Sequence, residues 1–393
     1  MTATDATAAT NLDAAMTTIA ELAEEIGPRR PTGVGEEAAA AALTDRLGAA
    51  GIDAATERFD GYSTFAAPFG LILAAAAAPS LLPRSRPVLR SALSWLAAAG
   101  LISEGSLRWA PLSALLSRRP SRNVVATIEP AGEAARTVCL VAHMDTSRSG
   151  LIFAPGLVRF MPAWIAASGG LVLLQALLEP FASVSRRVRG LAGAVRGGLV
   201  ASLGLLAERE IRGADVPGAN DNASGCGVVV ALASKLAAEP LGSTRVVVLI
   251  TGCEEAGTLG ARAFRDSRDT GGWMFLNFDN VGGPGSVRFL RREGVIDKWD
   301  ADPGLVATAD RVATARPDLR MKPEDHPAGL TYDSSPILAA GGRALTISVQ
   351  DGFIPNLHWP TDVVANVDRD GVRRTLEAGA ELVGAIDRGE ADG

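Results

Sequence analysis

The chain has 393 residues, 47% of them hydrophobic, and a formal net charge of −6. That length holds two ordinary domains or one large α/β domain with insertions, and it buries a sizeable core. The acidic balance, with no long Lys/Arg block, excludes a phosphate-tracking surface, so nucleic acid is not expected as a partner.

In chain order, the amino-terminal stretch MTATDATAATNLDAAMTTIAELAEEIG has no basic start and no continuous apolar run, so no cleavable secretory signal is expected. Residues 11–26 and 35–50 carry helical apolar spacing, parted by Gly27-Pro28 and Pro31-Thr32-Gly33, and the second run stops at Gly51. Residues 52–59 alternate like an edge strand. Residues 123–130 and 136–145 are β-branched runs joined by Pro130-Ala131-Gly132, which reads as a hairpin. Residues 224–239 read as a helix, 244–252, 273–281 and 344–349 as strands, and 372–386 as a closing helix. This alternation predicts a three-layer α/β/α fold on a mixed, largely parallel sheet. The catalytic domain is expected over 11–62, 118–150 and 209–388. Cys139, Cys226 and Cys253 sit in apolar or small-residue runs and read as buried free thiols.

Two insertions break this rhythm, 63–117 and 151–208. Each holds two apolar segments parted by a basic turn, at 83–90 and 183–190, and reads as a helical hairpin. If strands 52–59, 123–130 and 136–145 are consecutive antiparallel neighbours, both hairpins rise from one sheet edge over His143. The spans 63–83 and 159–181 approach a bilayer crossing of about 20 residues. Their partners 88–103 and 191–208 are interrupted by Arg90 and Arg196. Three readings stand open: a membrane-embedded pair of hairpins, a soluble lid or dimer interface on a cytoplasmic protein, and a surface-lying anchor. Membrane association is slightly favoured; the basic turns favour cytoplasmic tips with the catalytic domain outside, whereas translocating about 60 residues ahead of the first span without a signal argues for the opposite orientation, and both stay open.

The chemistry sits at strand ends, where α/β sheets place ligand-binding groups. His143 and Asp145, in VAHMDT, face one way on an extended segment; they read as a metal-bound imidazole with its carboxylate or as a hydrogen-bonded core pair. Asp221, in GANDNASG, opens a helix and reads as a ligand or as a capping turn. Glu254 and Glu255 follow a very apolar strand, where adjacent carboxylates are costly unless cations offset them. Asp279, in NFDNVGG, ends a further strand, and His358, in NLHWPTDVV, lies in a loop between prolines. Two of the three histidines fall in these segments. Imidazole and carboxylate without clustered thiolate suit catalytic zinc, with cobalt or manganese as substitutes.

AHMD, GANDNASG, CEEAGTLGARAF, NFDNVGG and HWPTD, with GPRRPTGVGEEAAAAALTDRLGAAGI before them, resemble the successive motifs of the di-zinc aminopeptidases, metallopeptidase family twenty-eight. The resemblance implies that His143 and Asp279 bind one zinc, Glu255 and His358 the other, and that Asp221 bridges them. It further implies Glu254 as general base, Asp145 as partner of His143, a cis Asp221-Asn222 peptide, and a peptide substrate cleaved at its amino terminus. Tyr332 is a candidate oxyanion donor or a packed aromatic. Carboxypeptidase or amidase chemistry on the same metals, and a non-catalytic membrane receptor or scaffold, are the competing functions. The insertions would roof the site and favour small peptides or apolar amino-terminal residues.

Overall fold

The structure is a computed structural model that describes residues 3–325 and 330–392. α1 (Ala3–Ala20) runs through a π-helical turn to Gly27, and α2 (Val34–Ala49) ends as expected at Gly51. β1 (Ala54–Gly61) leads into the first insertion, which forms α3 (Ala66–Ala77), α4 (Pro87–Gly105) and α5 (Pro111–Leu116). β2 (Arg119–Ile128) and β3 (Arg136–His143) precede the second insertion, whose helices are α6 (Met161–Leu178) and α7 (Arg186–Arg212). Then come α8 (Ser224–Ala238), β4 (Thr244–Thr251), α9 (Leu259–Asp266) and β5 (Met274–Phe278). The remainder is β6 (Ser286–Glu293), β7 (Trp299–Asp300), α10 (Pro303–Ala315), β8 (Met321–Asp325), α11 (Ser335–Ala339), β9 (Arg343–Gln350) and α12 (Arg369–Asp387).

Among the described residues the strands form one sheet in the order β1-β2-β4-β3-β5-β9-β6-β7, with β8 beside β6. The inner strands β4, β3, β5 and β9 are parallel, and β1, β2 and β6 make the antiparallel pairings, so the mixed three-layer expectation holds. Period-two alternation splits β3 between the two layers. Val138, Leu140 and Ala142 join the core under α1, α2, α8, α10 and α12, while Cys139 and Val141 join the opposite core under α9 and α11.

The expected hairpin of 123–130 with 136–145 does not form, because β4 lies between β2 and β3. β3 is apolar on both faces and takes two parallel neighbours. The Pro130-Ala131-Gly132 turn passes beneath β4 instead, with Ala131 N donating to Leu241 O (2.8 Å) and Gly132 N to Gly242 O (3.1 Å). Strand directions survive this change, since β2 is antiparallel to β4 and β4 parallel to β3. The end of β1, the start of β2 and the end of β3 therefore still share one edge, and Gly61 pairs with Arg119 there.

Both insertions rise from that edge as one four-helix bundle. α3, α4, α6 and α7 share a separate core that includes Ile72, Leu73, Ala98, Leu101, Val172, Ala176 and Leu199. Helix and turn in the first hairpin's opening run cover only 66–81, shorter than the span read from 63–83. The segments long and apolar enough to cross a bilayer are Val158–Phe181 and Arg186–Arg212. Arg90 and Arg196 do not interrupt the bundle's outer face. Both turn inward to the buried Glu179, Arg90 Nε at 2.7 Å and Arg196 at 3.2 Å, and Gln175 donates to the same carboxylate at 2.6 Å.

Candidate metal centre

The parallel strands bring the site together at their carboxyl ends. His143 is level with Thr251 across β4, and Val141 is level with Asn277 across β5, so two residues further His143 and Asp279 emerge side by side. Beyond Thr251 the chain must pass close to Glu36: a Cβ on Gly252 would lie 2.5 Å from its Oε1. Glu36 accepts Cys253 N at 2.9 Å, and the two oxygens of Asp145 accept Glu254 N and Glu255 N, each at 3.0 Å. The paired glutamates are thus held through their backbone by carboxylates behind them.

Asp221 sits in the turn before α8. Gly218 has φ +63, and a Cβ there would lie 2.3 Å from Thr146 Cγ2, so this turn requires glycine. The Asp221-Asn222 peptide is cis, as the resemblance implies. Asp362 accepts Asn220 N at 2.7 Å and Asp221 N at 3.0 Å. The fully buried Arg29 donates to the carbonyls of Met144, Leu22, Gly27, Pro217 and Gly218, tying the amino-terminal segment to the ends of β3 and this turn. His358, at φ 50 between Pro355 and Pro360, meets Phe153 of the second insertion edge-on, with ring centroids 4.4 Å apart.

The structure gathers His143, Asp221, Glu254, Glu255, Asp279 and His358 around one cavity, with Tyr332 in its wall and Asp145 buried behind it. Asp221 faces both imidazoles: Oδ1 is 3.3 Å from His143 Nε2 and Oδ2 is 3.1 Å from His358 Nε2. Asp279 lies 3.6 Å from His143 Nε2, and Glu255 3.1 Å from His358 Nε2. Ligand atoms of His143, Asp221 and Asp279 lie within 4.8 Å of one another, and so do those of Asp221, Glu255 and His358. Glu254 belongs to neither group; its Oε2 is 3.9 Å from His143 Nε2. His143 Nδ1 is nearer the carbonyl of Asp145 (3.1 Å) than its carboxylate (3.8 Å), so the Asp145 side chain serves the glutamate backbone first.

Without cations this is an electrostatically costly arrangement. Burial, reinforced by Asp333, Glu255 and Asp279 against the opposing His143, holds Glu254 well above the usual carboxylate range. Burial raises Asp279 to about 7 despite His143. For Asp221 the two imidazoles outweigh burial and hold it below that range. His358 rises to about 9, because Glu255 and Asp221 overcome the opposing effect of burial. Glu255 Oε1 and His358 Nδ1 are buried without hydrogen-bond partners. A donor set of two imidazoles and excess carboxylate with such orphaned atoms fits divalent zinc.

Asp362, Arg29, Glu36 and Phe153 were not singled out by the sequence, although the first two stand inside the HWPTD and GPRRPTG stretches. None ends a strand, and the Glu36-Glu37 pair stands in a helical run rather than after an apolar strand, so local pattern gave no signal for them.

Acidic and imidazole groups converging on the ends of a mixed sheet form two candidate metal clusters, and with the family match that follows they mark a zinc-dependent metallopeptidase, a hydrolase. Residues 203–383 match the family described as Peptidase family M28, which bears out the resemblance carried by the motifs. The fold is similar to BSAP, a zinc aminopeptidase from Bacillus subtilis, at 14% identity and TM-score 0.58, covering 95% of this chain and 94% of that one. It is also similar to a leucine aminopeptidase precursor from Bacteroides thetaiotaomicron (16%, 0.55, 95% and 96%) and to a glutaminyl cyclase from the same organism (15%, 0.55, 95% and 97%). At these identities the likeness establishes the fold. No curated protein matches the chain.

Proposed function

We propose that the chain is a two-zinc exopeptidase that hydrolyses the amino-terminal bond of peptides. The observation that carries this reading is the sharing of Asp221 between two three-residue groups of ligand geometry, with Glu254 beside but outside both. His143 and Asp279 would hold one ion, Glu255 and His358 the other, and Asp221 would bridge. When bound, zinc supplies Lewis acidity, lowering the pKa of a nearby water toward about 7 and polarising a carbonyl. Glu254 takes the water's proton and returns it to the leaving nitrogen. Asp145 keeps Glu254 and Glu255 in place through their backbone N–H groups, and Asp362 does the same for Asp221. Because one fold serves aminopeptidases and a glutaminyl cyclase, side chains outside the ligand set decide the reaction. Aminoacyl-anilides, blocked peptides and carboxy-terminal substrates, assayed with and without a chelator and beside zinc analysis, test the reading. Chelator-sensitive release from free amino termini with two zinc ions per chain is expected, and cleavage of blocked or carboxy-terminal substrates alone would refute it.

We also propose that the bundle seats this catalytic domain in an anionic lipid bilayer. Of the large apolar side chains that face solvent among the described residues, all but Val34 and Phe353 lie in 63–117 or 151–212. Two groups stand out among the bundle's charged residues. Arg90, Arg196, Glu179 and Glu104 are bonded inside it, while Arg84, Arg86, Arg186, Arg187 and Arg189 gather at its distal turns, where anionic headgroups would meet them. α7, 27 residues long, spans about 40 Å, enough for a hydrocarbon core of about 30 Å. Retention in membranes after a carbonate wash and release by detergent is expected. Full recovery as a detergent-free soluble dimer would refute it.

A further inference from the structure

The cavity over the metal residues continues well past them. It has a volume of about 490 Å³ and runs between the bundle helices, reaching Ile72 and Leu73 on α3, Leu101 on α4 and Val172 on α6. On α6, Ala166, Gly170 and Leu173 line it and are exposed. Their spacing of four and three residues is one helical stripe, so an exposed face of α6 borders the cavity.

Polar side chains along this bundle arm are already committed. Ser168 is hydrogen-bonded to Ser202 (2.9 Å), and the Glu104 carboxylate accepts Leu112 N and the Ser113 hydroxyl at 2.6 Å each. A peptide chain laid in the arm would bury amide groups without partners, whereas an alkyl chain would lose nothing. The same wall holds Arg262 of α9, half-buried near Tyr62 and Glu104, with a buried Nε that has no hydrogen-bond partner. Burial lowers its pKa, yet a guanidinium stays charged and is suited to a carboxylate.

We infer that the cavity binds amino acids N-acylated with a long alkyl chain: the chain lies between α3, α4 and α6, the amide over the metal residues, and the carboxylate toward Arg262. The substrate enters from the lipid side along the α6 stripe. Hydrolysis breaks the amide C–N bond and forms a C–O bond from water. Glu254 carries one water proton to the nitrogen, and a fatty acid and a free amino acid leave. The assignment rests on the metallohydrolase reading of the site and extends it to a second class of amide.

The test uses the zinc-loaded full chain in lipid nanodiscs with N-acyl-leucines from two to fourteen acyl carbons, beside leucine anilide. kcat/KM should rise by about fourfold per added methylene until the arm is full. A Cβ on Gly169 meets nothing closer than Leu101 Cδ2 at 3.7 Å, so Gly169→Phe is sterically admissible at the backbone and blocks the arm. It should cut hydrolysis of the fourteen-carbon substrate at least tenfold more than that of the two-carbon one. Arg262→Gln should raise KM for the free acid at least tenfold more than for its methyl ester. Hydrolysis of leucine anilide with no gain from chain length overturns the inference and leaves the metallohydrolase reading standing. Hydrolysis of no amide at all refutes that reading, and calorimetric titration of Glu254→Gln with tetradecanoyl-leucine then judges the cavity separately: absence of binding above empty nanodiscs overturns the inference too.

Discussion

Glu254→Gln separates base from ligand more sharply than any other single substitution. The amide has the shape of the carboxylate but cannot accept a proton, and a positioned general base contributes about 10²–10⁴ in rate. That corresponds to roughly 3–5 kcal/mol of barrier. Glu254 Oε2 approaches His143 Nε2 only to 3.9 Å, against 3.1 Å between Glu255 and His358, and it stands outside both ligand groups. Zinc content should therefore stay at the parent value while kcat falls by two to four orders of magnitude. Glu255→Gln, which removes a proposed ligand, should lose zinc as well. The assay is kcat on leucine anilide with metal analysis of the same dialysed samples. A kcat within tenfold of the parent, or zinc loss equal to that of Glu255→Gln, refutes the assignment.

Three further outcomes follow from the geometry. Asp362→Ala frees the backbone N–H groups of Asn220 and Asp221, and loss of such an orienting partner should weaken zinc binding about 10–100-fold, read by competition with a chelating dye; unchanged affinity would show that the turn orients Asp221 alone. Burial lifts Glu293 to about 7 although Ser334, Thr346 and Ser335 donate to it, so its folded-state pKa lies above its unfolded value and the protein loses stability as pH rises from about 4.5 through 7. Glu293→Gln should remove up to about 3 kcal/mol of that loss, seen as a flatter dependence of Tm between pH 5 and 8, and parallel curves for the two proteins would contradict it. Glu179→Leu leaves Arg90 and Arg196 unpaired inside the bundle and should destabilise it by about 3–5 kcal/mol, measured as earlier proteolysis within 83–86 and 182–185; an unchanged cleavage midpoint would mean the arginines reach solvent.

Strand ends were the most legible part of the chain. β3, β4, β5 and β9 are apolar on both faces and read as buried strands, so the residues at or just past their ends, His143, Glu254, Glu255 and Asp279, were locatable from sequence. The order of those strands was not. The link 129–135 is long enough to close a hairpin or to pass under one neighbour, and only the tertiary pairing with 241–243 chooses. The region 286–325 was missed for a different reason. β6 carries Arg288, Arg291 and Arg292, whose partners Asp351, Asp325 and Asp300 lie outside the strand, so in sequence it reads as a charged loop. Arg90 and Arg196 misled in the same way: a charge in an apolar run reads as an interruption until Glu179, 89 residues from the first and 17 from the second, is seen to meet both.

The insertions leave the metal frame intact because they enter where the sheet already ends. Their joint attachment is Arg209, near the end of α7, which donates to Ser147 Oγ beyond β3 (2.7 Å) and to Thr64 Oγ1 before α3 (3.1 Å), with its guanidinium 4.4 Å over the Phe65 ring. One cation thus ties both hairpins to the segment two residues past Asp145. A further contact is Phe153 on His358, which puts the insertion against a loop bearing a proposed ligand rather than against a strand. The proposed ligand positions are therefore set by β3, β4, β5 and Asp362, and access to them by the bundle. Arg209→Met should accordingly change KM for long-chain substrates more than zinc affinity, and a loss of zinc equal to that of Asp362→Ala would show that bundle and metal frame are a single unit.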